Sequence, residues 1–564
     1  MLLFFAMRGG VCGNGTNAEA SAIPKLQLSG YADDNAGTDY TAGATAAPAG
    51  STLFHYAPIL VALLIVIADA GQKTDPDLWG HIRFGQAVLA TGHLATRDLY
   101  SYSVPGHLWR NHEWLTETVM ALAYNHLGVL GLKLWKFACV AATIIFMAFG
   151  LAETGASASI QLDTLAIAAV ALMPQMQFRP QLFTFMLLAA MLALLARHNY
   201  RRAGPLWLAV PMMVLWANLH GGFIMGIVAL AAYTGVTATQ DLTTGAGIGR
   251  TLRLAAVTFA AALATLATPY GIEIWATVLH ALRDPMTRLA VTDWQPLAFA
   301  MGNQWHAGHF GVIYYLLVVG LIAAFAIAFV LEPRGGDLPL AVIAATMSVA
   351  AFIAVRNMPL AVIACAAPLA RHLELIAARR RRPVQVHKPA GGAPEPPGRP
   401  GVNPWIAAVI VIVLAAYTGL FSNRIEQEMA YPGGAVAFMR QHGLHGNILN
   451  DFGWGEYLIW HCAPQSKVFI DGRYDTVYPY FVIDQYVDFR FARPGAQAVL
   501  KHYPHDFVLI KPDSLAFALM RRQAGWKMIY RDRDCALFAR SDSAAARIPQ
   551  VSLTGAATKA GYFP

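Results

Sequence analysis

Charge is scarce in this chain: of 564 residues only 13% are Asp, Glu, Lys or Arg, against 56% hydrophobic. Soluble domains carry roughly 25% charged and 45–50% apolar residues, so most of the chain cannot be a water-soluble globule. Cysteine is scarce too, at five residues, which excludes a disulfide framework. Cys139 and Cys365 fall inside apolar stretches as small packing residues do. Cys462 and Cys535 lie in the polar C-terminal region and could pair if that region is extracytoplasmic. The net charge of +8 is not gathered into a basic stripe, so nucleic acid is not an expected partner. Residues 1–50 lack hydrophobic periodicity and read as disordered. The opening Met1 to Met7 is too short for a signal-peptide core and has no basic flank.

Long apolar runs are what the chain has instead. A membrane span needs about 20 apolar residues. Candidate spans are 53–70, 129–151, 159–174, 182–196, 205–219, 222–240, 254–268, 310–331, 338–355, 359–376 and 404–421. This predicts a mainly α, polytopic bundle of about eleven spans. Several are short and carry prolines near their ends, such as Pro174, Pro180, Pro205, Pro211 and Pro269, which suits a packed bundle. The basic loops 197–202, 250–253 and 379–382 fall on one side by parity, and the positive-inside bias makes that side cytoplasmic.

The domain layout follows. Residues 51–376 form a bundle with a large external first loop, 71–128, and 377–403 form a basic Pro/Gly-rich cytoplasmic linker. Residues 404–421 are the last span, 422–545 an extracytoplasmic domain and 546–564 a tail. Runs such as 447–452, 467–472, 506–511 and 535–540 read as strands, with helical patterns at 432–442 and 513–524, so the soluble domain is α/β. The expected location is the inner (plasma) membrane, multi-pass, with the bilayer as a partner.

With this topology the unusual polar residues fall on the external side: TDPDLWGHIRFGQ (74–86), WRNHEWLTE (109–117), QFRPQ (177–181), NLHGG (218–222), DWQP (293–296) and RNMP (356–359). Ordinary caps and turns would occupy both faces. Asp75 and Asp77 could act as general base or hold a metal, or Asp77 could simply N-cap the helix that follows. His81 lies four residues beyond Asp77 on the same helical face. Arg179 and Arg356, each beside a proline at the outer end of a span, could clasp a phosphate together with His220, or snorkel to lipid headgroups. Glu113 and Glu117 form a possible second acidic site or a solvated helix face. Trp79 and Trp294 could stack on a sugar or belong to an interfacial aromatic belt. The run KVFIDGRYDTVYP (467–479) could hold an acceptor through Asp471 and Arg473, or form an internal salt-bridged turn.

These residues resemble the GT-C superfamily of polyprenyl-phosphate-dependent glycosyltransferases, which includes oligosaccharyltransferases, protein O-mannosyltransferases and aminoarabinose transferases. Asp75-Pro76-Asp77 looks like the acidic motif of the family's first external loop, with Asp77 in the place of the catalytic carboxylate. NDFGWGEYLIW (450–460) is loosely similar to the oligosaccharyltransferase WWDYG segment but lacks the tandem Trp and the Asp, so peptide-sequon recognition does not follow. The resemblance implies inverting transfer of a sugar from a polyprenyl-phosphate donor to a glycan, lipid or protein acceptor. Asp77 and Asp75 would be catalytic, and Arg179, His220 and Arg356 would bind the donor phosphate. Trp79, His81, His112, Glu113, Asn218, Asp293, Trp294, Trp454, Asp471 and Arg473 would bind sugar or acceptor, and a divalent cation (Mg or Mn) could assist. The competing readings are a polysaccharide polymerase or ligase and a lipid-linked sugar flippase. Nearly apolar mid-span positions and the lack of an internal repeat weigh against transport.

Overall fold

The computed structural model describes residues 74–283, 292–306, 311–380, 423–426, 429–555 and 562–563. The expected spans 53–70 and 404–421, the segment 1–50 and most of the linker 377–403 lie outside these residues.

The first loop begins with helix α1 (Leu78–Thr91), which stops at Gly92 in the left-handed conformation that glycine adopts freely. Helix α2 (Trp114–Ala152) is two helical pieces joined across a kink at Gly128, at φ 59° and ψ −141°. That break separates a loop-side piece carrying Glu117 from an apolar piece that matches the expected span 129–151. The bundle continues through α3 (Ala158–Leu172), α4 (Gln181–Arg201), α5 (Ala209–Leu219), α6 (Phe223–Thr244) and α7 (Gly249–Ala264). The short α8 (Glu273–Arg283) and α9 (Leu297–His306) precede α10 (Gly311–Leu331), α11 (Leu338–Ile353) and α12 (Met358–Arg380). Among the described residues six helices are long and apolar enough to cross a membrane, and the helices Leu206–Leu219 and Leu338–Ile353 are shorter apolar ones. The chain is a multi-pass membrane protein; the six are a count of the described residues, and two of the eleven expected spans lie outside them. The helices α8 and α9 were not expected, because neither carries a long apolar run.

The C-terminal region holds a six-stranded sheet in the order β3–β2–β4–β6–β5–β7. Its strands are β2 (Asn447–Asn450), β3 (Lys467–Val468), β4 (Phe507–Ile510), β5 (Trp526–Arg531), β6 (Ala536–Arg540) and β7 (Val551–Ser552). A separate pair joins β1 (Ile425–Glu426) to β8 (Tyr562–Phe563). Strands β2, β3 and β4 run parallel, whereas β6 is antiparallel to β4 and β5. All four residues of β4 are buried, as expected of a strand covered on both faces.

The first loop is stitched to this domain. Its Ser101 forms a parallel bridge to Val468 at the sheet edge, with Tyr102 N–H donating to Val468 C=O at 3.2 Å and Val468 N–H to Tyr100 C=O at 3.1 Å. An open edge is thereby covered by chain from the same molecule. Arg473 completes the seam: it pairs with Asp471 at 2.6 Å and Asp98 at 2.7 Å. Its guanidinium lies within 5.3 Å of the Phe84, Tyr100 and Trp109 rings.

Candidate active site

A cavity of about 290 Å³ opens between the first loop, the ends of the bundle helices and the α/β domain. Three long helices begin at it. Gln181 and Thr184 of α4, Ile224 and Met225 of α6 and Leu360 of α12 all line it from the first turns. Helix N-termini carry partial positive charge and free N–H groups, so their convergence favours an anion.

Eleven of the candidate site residues from the sequence line this cavity: Asp77, His81, His112, Glu113, Glu117, Arg179, His220, Asp293, Trp294, Arg356 and Arg473. They come from seven separate stretches of chain. Asp77 stands at the start of α1, yet its carboxylate makes no capping hydrogen bond; Asp75 accepts the Asp77 N–H instead, at 2.8 Å. Burial first, then the charge of Asp75, pushes the Asp77 carboxyl up to about 7.

Beside Asp77 lies Glu456, which sequence reasoning passed over. Glu456 is 4% exposed and accepts the Gly80 N–H at 3.0 Å. Burial and the charges of Asp77 and Asp471 push its carboxyl well above the usual range. Gly472 allows both groups to approach: a Cβ there would collide with Asp77 Oδ1 and lie 2.8 Å from Glu456 Oε1. The adjoining Tyr474 sits at φ 37°, a left-handed conformation uncommon for a side chain of its size.

The cationic side is less uniform than expected. Arg179 is already held by two carboxylates, Asp75 and Asp293. Arg356 stacks over the Trp294 ring at 4.3 Å. His220 Nδ1 accepts the Gly222 N–H at 3.0 Å and lies 2.8 Å from Thr184 Oγ1, which leaves the ring proton on Nε2, 3.4 Å from Glu113. Burial lowers its pKa to about 3, so His220 offers the cavity a neutral N–H donor.

His81, Glu113 and Glu117 bring ligand atoms within 4.8 Å of one another. His81 Nδ1 lies 3.1 Å from Glu117 and 4.0 Å from Glu113. Burial would raise the Glu113 carboxyl, but His112, His81, His220 and Arg356 outweigh it and hold it below its ordinary value, so it is ready to ligate. An imidazole with two carboxylates fits a divalent transition metal such as Mn better than Mg, which prefers oxygen alone. Holding a metal was one of the alternatives for Asp75 and Asp77; Asp75 is fully buried against Arg179.

Other expected contacts are absent for visible reasons. Trp79 is fully buried and packs against Tyr431, Tyr457 and Phe563, so it anchors the first loop to the domain and does not face the cavity. Trp454 is also fully buried, its indole donating to Ala430 C=O at 2.9 Å. Asn218 is spent on the ends of the bundle, donating to Val214 and Ala267 carbonyls and accepting from Trp114. Asp471 is buried and grips Arg473, the salt-bridged turn of the two readings. Cys462 and Cys535 are free thiols.

No family model and no curated protein matches the chain. Solved structures do. The Archaeoglobus fulgidus oligosaccharyltransferase AglB, in complex with an inhibitory peptide and a dolichol-phosphate, aligns with a TM-score of 0.55 at 12% identity, covering 82% of this chain and 70% of that one. A second structure of the A. fulgidus enzyme, tethered to an acceptor peptide, gives 0.51 at 12% identity over 81% and 69% of the two chains. ArnT from Cupriavidus metallidurans, bound to undecaprenyl phosphate, gives 0.43 at 13% identity over 88% and 99%. The likeness to AglB extends over 82% of this chain and shows that the two share a fold.

Proposed function

We propose that this protein is a membrane glycosyltransferase that moves a sugar, with inversion, from a polyprenyl-phosphate-linked donor to an acceptor at the extracytoplasmic face. One observation carries the reading: Asp77 and the cations Arg179 and Arg356 line one cavity at which three helix N-termini converge. An anionic leaving group belongs at such N-termini, and a base belongs opposite it. The shared fold adds support, since AglB was solved with a dolichol-phosphate. Helices α4 and α12 run away from the cavity to end at Arg201 and Arg380. Basic ends opposite the cavity favour an external site by the positive-inside bias.

In this reading Asp77 takes the proton from the acceptor nucleophile as the sugar leaves the phosphate. Arg356 and the His220 Nε2–H receive the developing charge on the phosphate, while Arg179 fixes Asp75 and Asp293. Glu456 holds the first-loop helix through the Gly80 N–H. A divalent cation on His81, Glu113 and Glu117 would supply Lewis-acid charge when bound. The test has two arms. Undecaprenyl phosphate should bind the wild type and Asp77→Asn alike, while Asp77→Asn loses about 10²–10⁴ in transfer rate, the usual worth of a general base. Asn substitutes well for Asp at a helix cap, so a capping role predicts little loss. Absence of lipid-phosphate binding would refute the proposal.

A further inference from the structure

A second cavity, of about 210 Å³, lies wholly within the α/β domain and is not used by the chemistry above. Its position follows from topology. From β2 the chain passes to β3 on one side, and β4 pairs with β2 on the other, both parallel. The strand order therefore reverses between β2 and β4, and the carboxyl ends of these two strands, Asn450 and Ile510, line the cavity. Open α/β sheets bind ligands in the crevice at this point.

The lining has a definite chemistry. Phe491 is 48% exposed at the cavity, and Arg490 and Arg493 lie over its ring at 5.6 and 5.5 Å. Lys511 reaches in from the end of β4, and Asp451 from the end of β2, with 3.7 Å between their charged groups. Two lining cations, Arg490 and Lys511, thus stand with one lining carboxylate, and Arg493 lies beside them over the Phe491 ring. Between Phe491 and Arg493, Ala492 is held at φ 49°, a costly left-handed turn for a residue with a Cβ. A nucleotide is the usual ligand at a switch point, but the turn after β2 is not a phosphate cradle: the Asp451 carboxylate already accepts the Gly453 N–H there. Guanidinium groups gathered over an exposed aromatic ring instead suit a sugar whose own carboxylates meet the cations.

We propose that this cavity binds an acidic saccharide, a chain of uronate-type units, as the docking site of the acceptor. The loop Asp451–Phe452 forms a shared wall, with Asp451 lining the second cavity and Phe452 the first, so a docked chain lies next to the transfer site. Only the word acceptor rests on the transferase reading; the binding does not.

The experiment titrates the full-length protein in detergent micelles with tri-galacturonic acid and, in parallel, with neutral maltotriose, by calorimetry. The uronate should bind and maltotriose should not. Phe491→Ala and Arg490→Gln should each weaken uronate binding about tenfold, ~1.4 kcal/mol, while Asp77→Asn leaves it unchanged. Arg493→Gln, at an exposed position, gives a third reading should either of the first two lower thermal stability. Absence of uronate binding, equal binding of maltotriose, or affinity unchanged in all three cavity variants overturns the proposal. Uronate binding by a protein that transfers no sugar would refute the transferase reading and leave this one standing.

Discussion

Gly472 lies so close to Asp77 that any side chain at 472 would claim the space of the Asp77 carboxylate. Its backbone is not left-handed, so the glycine is required by contact and not by conformation. The consequence is specific. Gly472→Ala should push Asp77 out of line, and a misplacement of about 1 Å costs on the order of 10²-fold in rate. Overpacking by one methyl should cost only about 1–3 kcal/mol of stability. Transfer rate and thermal midpoint measured together check this, and an Ala variant of full activity would show that Asp77 is not constrained there.

The two arginines differ in what they already hold. Arg179 bridges Asp75 and Asp293, whereas Arg356 rests on Trp294. Arg356→Ala should weaken binding of undecaprenyl phosphate with little loss of stability. Arg179→Ala should do both, because it leaves two carboxylates without their cation, and breaking such a buried pair costs about 3–5 kcal/mol. If both touch one phosphate, the double variant should show coupling of roughly 0.5–3 kcal/mol in donor affinity. Simple additivity would separate their roles.

Metal binding can be tested without any substrate. Manganese titrated into metal-stripped protein should bind at one site, and Glu113→Gln or Glu117→Gln should weaken it by about tenfold or more, ~1.4 kcal/mol. A calorimetric trace without saturable binding would remove the His81–Glu113–Glu117 site from the mechanism.

Much of this arrangement was legible in the sequence because the polar motifs stand out from an apolar background. Asp77, Arg179, His220, Asp293 and Arg356 are separated by up to 279 residues but line one cavity, as their shared side of the membrane suggested. The tryptophans were not legible. Trp79 reads as a stacking platform or as part of an interfacial belt, and only the partners Tyr431 and Tyr457, far along the chain, place it in the core. Glu456 was hidden for the opposite reason: in GEYLIW it looks like an ordinary helix charge, and its burial depends on Gly80 from the first loop. The neutrality of His220 likewise depends on its burial, and its tautomer on Gly222 and Thr184 facing Nδ1, neither of which spacing alone reveals.

The seam between first loop and domain should respond to pH through His505. Tyr102 O–H lies 2.6 Å from His505 Nδ1, and His505 Nε2 lies 2.8 Å from Val499 C=O. The carbonyl can only accept, so Nε2 carries the proton and Nδ1 accepts from the tyrosine. Burial, outweighing the opposing pull of the Val499 carbonyl and Asp506, lowers this histidine from 6.5 to about 4. A histidine with a depressed folded pKa contributes stability that is complete above 6.5 and is lost as pH falls toward about 4. The amount is about 3 kcal/mol at most, from 1.36 kcal/mol per unit. Carboxylates elsewhere also titrate in this window, so the comparison must be internal. His505→Gln keeps a donor and an acceptor but cannot be protonated. Its thermal midpoint should fall below that of the wild type at pH 7, and the gap should narrow by pH 4.5. Parallel curves for the two proteins between pH 7 and 4.5 would rule His505 out as the titrating group of the seam.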